Sequence, residues 1–239
     1  MLTAIYPNAL EIPAGGLRSP PLLTFPAAVY IIYGSMRAGG GRPAPAKSEE
    51  GFSMTYTMKV AGLERQLPLC KVADNFYIGA FIIFGDAELT VACAKDLLAR
   101  IPENSYDYML TAEAKSIPLI HEMARQSGAK KYFVARKGSK VYMPDPIHVS
   151  VRSITTLRTQ DLFLGSDDCA LIRGKRILIV DDVISTGESL HALEELVKTA
   201  GGIVTGRAAI LAEGDALART DITYLAPLPV FNADGTVKE

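Results

Sequence analysis

The chain has 239 residues, 49% of them hydrophobic, with 25 Lys and Arg against 26 Asp and Glu. That is a globular texture with material for one large domain, and the near balance of charge leaves no basic field to gather nucleic acid. The apolar runs fall short of the roughly 18 residues a membrane span requires, and Cys70, Cys93 and Cys169 form neither a metal-ligand spacing nor a disulfide framework.

Reduced thiols in a cytoplasmic protein are the expectation from that cysteine usage. Residues 1–53 stand apart from the rest. They carry the Gly- and Pro-dense stretches "IPAGGLRSPP" and "RAGGGRPAPAKSEEG" around one apolar island, "LLTFPAAVYIIYG". No basic region precedes the island, which argues against a secretory signal, and its flanks read as linker. The segment is expected to be a poorly ordered N-terminal extension, with the globular domain covering residues 54–239.

Within that domain "DYMLTA" (107–112) and "KYFVAR" (131–136) have strand character. Between them Ile117, Ile120, Met123 and Ala124 recur at helical spacing, and Gly128 ends the run. The next segment, "ARKGSKVYMPDPIHVSVRSITTLRTQDLFLG", starts basic and then alternates in the manner of a hairpin. A long insertion of this kind at the edge of an α/β sheet often serves as a lid. Then "KRILIVDD" reads as a strand, and Leu190, Leu193, Leu196, Val197 and Ala200 form a helical face ended by a Gly pair. "IVTGRAAILA" (203–212) supplies another strand. The alternation predicts an α/β fold: a doubly wound, mostly parallel sheet with a mobile loop over its C-terminal strand edge.

The most informative stretch is "ILIVDDVISTGES", residues 177–189. Two like charges at the end of a buried strand repel unless something cationic or hydroxyl-bearing meets them. The turn that follows, Ser185, Thr186, Gly187, Glu188 and Ser189, combines hydroxyls, a glycine and a helix N-terminus, which suits an anion such as phosphate. Asp181 and Asp182 can accept hydrogen bonds from vicinal hydroxyls. A sugar phosphate satisfies both halves at once, whereas a plain helix cap needs only one of the aspartates.

This stretch resembles the phosphoribosyl-pyrophosphate signature of the type I phosphoribosyltransferases, and the similarity extends over most of residues 76–232. "TAEAKS" (111–116) resembles the pyrophosphate loop of the adenine and xanthine enzymes, "ARKGSK" the start of their mobile loop, and "PLPVF" their C-terminal end. The resemblance implies Mg-dependent transfer of ribose 5-phosphate to a purine base by a homodimer. Asp181 and Asp182 would hold the ribose 2- and 3-hydroxyls, and residues 185–189 the 5-phosphate. Glu113, Ala114 and Lys115 would belong to the pyrophosphate loop, with Arg136, Lys137 and Lys140 as lid cations. No metal ligand is assigned to the protein, because the Mg ion would ride on phosphoribosyl pyrophosphate.

A small hood is expected near residues 70–90, since "AFIIFGDAEL" is similar to the base-covering hood of adenine phosphoribosyltransferases. Phe84 fits the position that stacks on the purine, and Ile83 the backbone that reads its edge. Two departures bear on the base. Gly85 stands where many adenine enzymes have arginine, and Asp145 is the only carboxylate between Arg136 and Gln160, where they often place a glutamate. The hood-like stretch makes adenine the first acceptor, and these two departures keep xanthine or hypoxanthine and guanine as alternatives. His148 is a candidate to shuttle the purine proton.

Other classes fare worse. A Walker-B reading of the acidic pair lacks the G-x-x-x-x-G-K-[ST] cradle, and no G-x-G-x-x-G follows a strand. A non-catalytic relative that senses phosphoribosyl pyrophosphate would carry a DNA-binding helical module. Residues 1–53 are too rich in Gly and Pro to build one.

Overall fold

The computed structural model describes residues 54–152 and 159–238. The expected extension at 1–53 and the tip of the expected lid at 153–158 lie outside the described residues.

The first described elements form a meander. β1 (Thr55–Val60) and β2 (Leu63–Ala73) are joined by Ala61 and Gly62, both at positive φ (51° and 75°). Two left-handed residues in succession give a two-residue hairpin the twist its strands need. Met58 and Val60 turn inward while Thr57 and Lys59 face solvent. β3 (Phe76–Gly79) then returns antiparallel along β2.

Helix α1 (Ala87–Arg100) starts where the Asp86 carboxylate accepts the Leu89 N–H at 3.0 Å. It buries Leu89, Cys93, Ala94 and Leu97. β4 (Tyr108–Ala112), α2 (Ile117–Ser127) and β5 (Phe133–Ala135) form the expected strand–helix–strand unit. Gly128, at φ 74°, closes α2. Ile117, placed on the core face by its spacing, is only half-buried, and Leu119 takes a fully buried place instead.

β6 (Ile147–Arg152) and β7 (Thr159–Leu164) pair as an antiparallel hairpin. After α3 (Ser166–Ile172) come β8 (Arg176–Ile184), α4 (Glu188–Thr199) and β9 (Ile203–Glu213). A 3₁₀ turn (Gly214–Ala218), β10 (Thr223–Leu228) and β11 (Val230–Phe231) complete the described chain.

Five strands form a wholly parallel sheet in the order β10-β9-β8-β4-β5. Helices α1 and α2 pack on one face against Leu178, Val180, Ala208 and Ile210. Helix α4 covers the other, against Leu110, Ile177, Ile179 and Ala209. Chain order runs outward in opposite directions from the β4–β8 pair, so the loops leaving those two strands diverge. A crevice at such a switch point is where an open α/β sheet binds its ligand.

A second sheet takes the order β1-β2-β3-β11, and the stretch at 70–90 expected to form a hood gives it the end of β2 and all of β3. Val230 and Phe231 return from the far end of the chain to pair with Ile78 and Tyr77, while residues 80–86 only connect that sheet to α1. The expected lid is anchored at its stem: Leu162 and Leu164 are fully buried in the core that α4 covers. Arg136 and Phe163 exchange backbone hydrogen bonds at 2.9 and 2.8 Å. An alternating strand with one apolar face docks wherever that face is buried, and here α4 buries it. Among the described residues no helix is long and apolar enough to cross a membrane.

Candidate active site

At the carboxyl end of β8 the apolar run of Ile177–Val180 gives way to Asp181, half-buried, and Asp182, buried. Ser116, buried at the start of α2, brings the two together. Its hydroxyl lies 2.7 Å from Asp181 Oδ1 and 3.2 Å from Asp182 Oδ1. A hydroxyl carries one hydrogen, so it serves one carboxylate at a time. Lys115 supplies the cation: its Nζ is 2.6 Å from Asp182 Oδ2. Asp181 Oδ1 also accepts the Asp182 N–H at 2.9 Å. Burial, and then the neighbouring Asp182 charge, push the Asp181 carboxyl up to about 7.

The companions that like charges at a strand end require are thus a serine hydroxyl and a lysine, both from the loop after β4. That loop and β8 flank the switch-point crevice. The Glu113–Ala114 peptide within it is cis.

Ser185, Thr186 and Gly187 follow β8 as a bend, and Glu188 and Ser189 open α4. Gly187 caps the helix at φ 79°, ψ 2°, a left-handed conformation that side-chain-bearing residues rarely adopt. His191 N–H closes the first turn on Gly187 C=O at 2.8 Å. The positive end of the α4 dipole therefore points at residues 185–187, where an anion is favoured.

Glu113 reaches across to the end of β5. Its carboxylate accepts the Lys137 N–H at 3.1 Å and pairs with Arg136 Nη2 at 3.2 Å. Its own N–H donates to Ala135 C=O at 2.8 Å. The sequence offered two readings of Glu113, a ligand contact or a helix-start acid. The geometry gives a third: a strut that fixes the root of the lid segment. Arg136 is held in this strut, with its Nε buried and meeting no acceptor among the described residues. Ala114 is exposed, and Lys140 is half-buried in a turn whose C=O accepts the Met143 N–H at 2.9 Å. Lys137 and Lys140 make no ion pair among the described residues.

Ile83 and Phe84 lie on the connection between the second sheet and α1. The Ile83 side chain is fully buried in the core under α1 and α2, and its C=O accepts the Asp86 N–H at 3.2 Å. That carbonyl is already engaged in a turn, which weakens the edge-reading role expected for it. Phe84 is 42% exposed and Ile82 53%. His148 is engaged within the hairpin, its ring stacked on Phe163 at 4.3 Å and its Nε2 2.9 Å from Asp161 Oδ1.

Three residues near this edge lay outside the sequence-level selection. Ser116 stands beside Lys115 and could have been found by asking what hydroxyl meets the acidic pair. Glu213 ends β9, so the strand-end rule that marked Asp181 and Asp182 also points to it. Burial raises its carboxyl, while Lys115 works in the opposite direction. Arg219 has no local signal, because its place beside Gly187 is a tertiary contact.

The chain is similar in sequence to several known proteins. An adenine phosphoribosyltransferase of Bifidobacterium animalis subsp. lactis is 30% identical over 126 residues, 52% of this chain and 62% of that protein. A xanthine phosphoribosyltransferase of Exiguobacterium sp. is 25% identical over 134 residues, 56% of this chain and 68% of that one. The chain thus spans about three-fifths of the length of the first of these curated relatives. Among solved structures, an adenine phosphoribosyltransferase of Rhodothermus marinus superposes with a TM-score of 0.52 at 22% identity. The overlap covers 73% of this chain and 94% of that one, a likeness of fold. The phosphoribosyl transferase domain matches residues 87–225, from the first helix into β10, and the chain belongs to that family.

Proposed function

We propose that this chain is a purine phosphoribosyltransferase. It moves ribose 5-phosphate from phosphoribosyl pyrophosphate to a purine nitrogen, with adenine as acceptor and AMP and pyrophosphate as products. One observation supports the reading above the rest. The Ser116–Asp181–Asp182–Lys115 cluster sits at the switch-point crevice, next to the Gly187 turn that opens α4. Carboxylates that accept from hydroxyls, a lysine for a diphosphate and a helix start for a phosphate match the three parts of this one donor.

In the reaction the bond from the anomeric carbon to the pyrophosphate oxygen breaks and the bond to the purine nitrogen forms. Positive charge builds on the ribose between the two events. Asp181 and Asp182 hold the 2- and 3-hydroxyls and face that charge, which is electrostatic stabilisation of the transition state. Ser116 and Lys115 keep the carboxylates oriented before the substrate arrives. Lys115 then meets the departing pyrophosphate, and the 185–189 turn fixes the other end of the sugar so that the anomeric carbon faces the base.

A Mg ion fits this donor set through the substrate rather than through a protein cage. Among the described residues no three His, Cys, Asp or Glu side chains gather around a cation position. Asp181 and Asp182 would attract the ion to the ribose hydroxyls, and it would neutralise charge on the leaving pyrophosphate. A homodimer and a cytoplasmic setting belong to the same proposal.

Adenine leads because the connection before α1 keeps apolar surface exposed at Ile82 and Phe84, which suits a neutral base. An oxopurine is the second reading, favoured by the single carboxylate, Asp145, in the segment after Arg136. The experiment is a panel of adenine, xanthine, hypoxanthine and guanine with phosphoribosyl pyrophosphate and Mg, reading nucleotide and pyrophosphate. Adenine is expected to give the highest kcat/KM. Binding of phosphoribosyl pyrophosphate without any nucleotide formed would mark a sensing regulator instead.

A further inference from the structure

Arg219 lies between the 3₁₀ turn and β10, 32 positions beyond the Gly187 turn it approaches. A Cβ on Gly187 would stand 3.2 Å from Arg219 Nη1, so the guanidinium lies directly against the glycine that caps α4. Its other nitrogens are anchored: Nε donates to Asp221 Oδ1 at 2.9 Å and Nη2 to Asp221 Oδ2 at 2.7 Å. Asp221 is itself braced by Arg207 Nε at 3.5 Å, and Arg207 is paired with Glu194 on α4. A bidentate carboxylate fixes the plane of a guanidinium and leaves its remaining corner aimed. Here that corner is Nη1, and it is aimed at the turn.

We propose that Arg219 is a phosphate-binding residue of this site. It places a fixed cationic donor beside residues 185–189 for the 5-phosphate of the sugar. The inference rests on the function proposed above and extends it to a residue outside the signature stretch. Glycine at 187 removes the side chain that would otherwise separate the guanidinium from the turn.

Arg219 is a binding residue for one end of the donor only, which separates it from a residue that merely holds the fold. The test measures calorimetric binding of ribose 5-phosphate and of Mg-pyrophosphate separately, on the wild type, Arg219→Gln and Arg219→Lys. For Arg219→Gln the affinity for ribose 5-phosphate is expected to fall about tenfold, the worth of a charge-assisted hydrogen bond, with pyrophosphate binding unchanged. Arg219→Lys, which keeps the charge, is expected to recover part of the loss. Equal ribose 5-phosphate affinity in wild type and a folded Arg219→Gln overturns the assignment while leaving the proposed function in place. A parallel loss for both ligands overturns it as well, since that marks a structural role. Should Arg219→Gln fail to fold, the decision passes to Arg219→Lys. Wild-type affinity for pyrophosphate with a weakened one for ribose 5-phosphate supports the role, and wild-type affinity for both overturns it. A wild type that binds neither ligand sinks the function and this inference together.

Discussion

Lys115 Nζ lies 2.6 Å from Asp182 Oδ2, joining the loop after β4 to the end of β8. The proposed partner of pyrophosphate is therefore paired with a proposed partner of the ribose. The lysine side chain keeps about half its exposure, 49%, whereas the aspartate keeps 4%. The lysine can therefore swing to a second anion while the aspartate stays in place. Substrate binding exchanges one charged contact for another and avoids leaving a bare buried carboxylate, which would be costly.

Lys115→Met tests that exchange. The KM for phosphoribosyl pyrophosphate should rise about tenfold, the loss expected for one charge-assisted contact. The KM for the purine should stay within about twofold, well under the ~1 kcal/mol of a lost hydrogen bond. An unchanged KM for phosphoribosyl pyrophosphate would remove Lys115 from the pyrophosphate site.

Replacing both Asp181 and Asp182 by Asn keeps the shape of the crevice and removes its charge. Turnover should drop by two or more orders of magnitude, about 3 kcal/mol of barrier. The fold should survive, because two adjacent carboxylates repel and their loss relieves the strand end. Near-normal turnover in a folded double variant would dismiss the pair as ribose ligands.

The same repulsion has a pH signature. Unfolded, Asp181 titrates near the ordinary value of 3.8; folded, burial and Asp182 carry it to about 7. Between those values the native chain holds a proton that the unfolded chain has released. Stability therefore falls as pH rises through this window, and the loss is complete above the folded value. Asp181→Asn lacks that slope. At pH 8 it should melt above the wild type by roughly 2–4 °C, the shift about 1 kcal/mol gives in a chain of this size. At pH 4 the advantage should vanish. A variant that melts lower than wild type at pH 8 would show that Asp181 stabilises the fold.

Much of the parallel sheet was legible because its signals are local. The helical spacing of Ile120, Met123 and Ala124, the stop at Gly128 and the apolar run before Asp181 all sit within a few residues of what they determine. The antiparallel sheet was harder to read. Its first hairpin turns at Ala61-Gly62, and an alanine at φ 51° is not the Asn-Gly or Asp-Gly signal that announces such turns. Its last strand, Val230–Phe231, pairs with Tyr77 and Ile78 across most of the domain, which leaves no local trace. The site divides in the same way. Asp181, Asp182 and Lys115 come from short motifs, whereas Arg219 reaches Gly187 only through the folded chain.

The domain boundary gives a further prediction. β1 starts at Thr55, and Leu69 N–H donates to Met54 C=O at 2.8 Å, so the described part of the second sheet begins at Met54. A chain beginning at Met54 should melt within about 2 °C of the full chain, less than 1 kcal/mol corresponds to at this size. It should also keep its activity. Aggregation or loss of activity would mean that the apolar island "LLTFPAAVYIIYG" packs on the domain.

Phe84 offers the sharpest test of the base site, because its two possible roles differ in what its loss costs. A phenylalanine serving the core loses about 3–5 kcal/mol on truncation to alanine. Phe84 is 42% exposed, beside an Ile83 that is fully buried and already anchors that connection in the core. Phe84→Ala should therefore cost little stability, a Tm drop of no more than about 4 °C. A ring that stacks on a purine contributes to base binding alone. The KM for adenine should rise about tenfold, within the ~1–3 kcal/mol that base–aromatic stacking is worth. The KM for phosphoribosyl pyrophosphate should not move. If adenine KM is unchanged, the ring does not cover the base. If instead the variant loses stability on the core scale, Phe84 belongs with Ile83 in the packing under α1, and another residue must cover the purine.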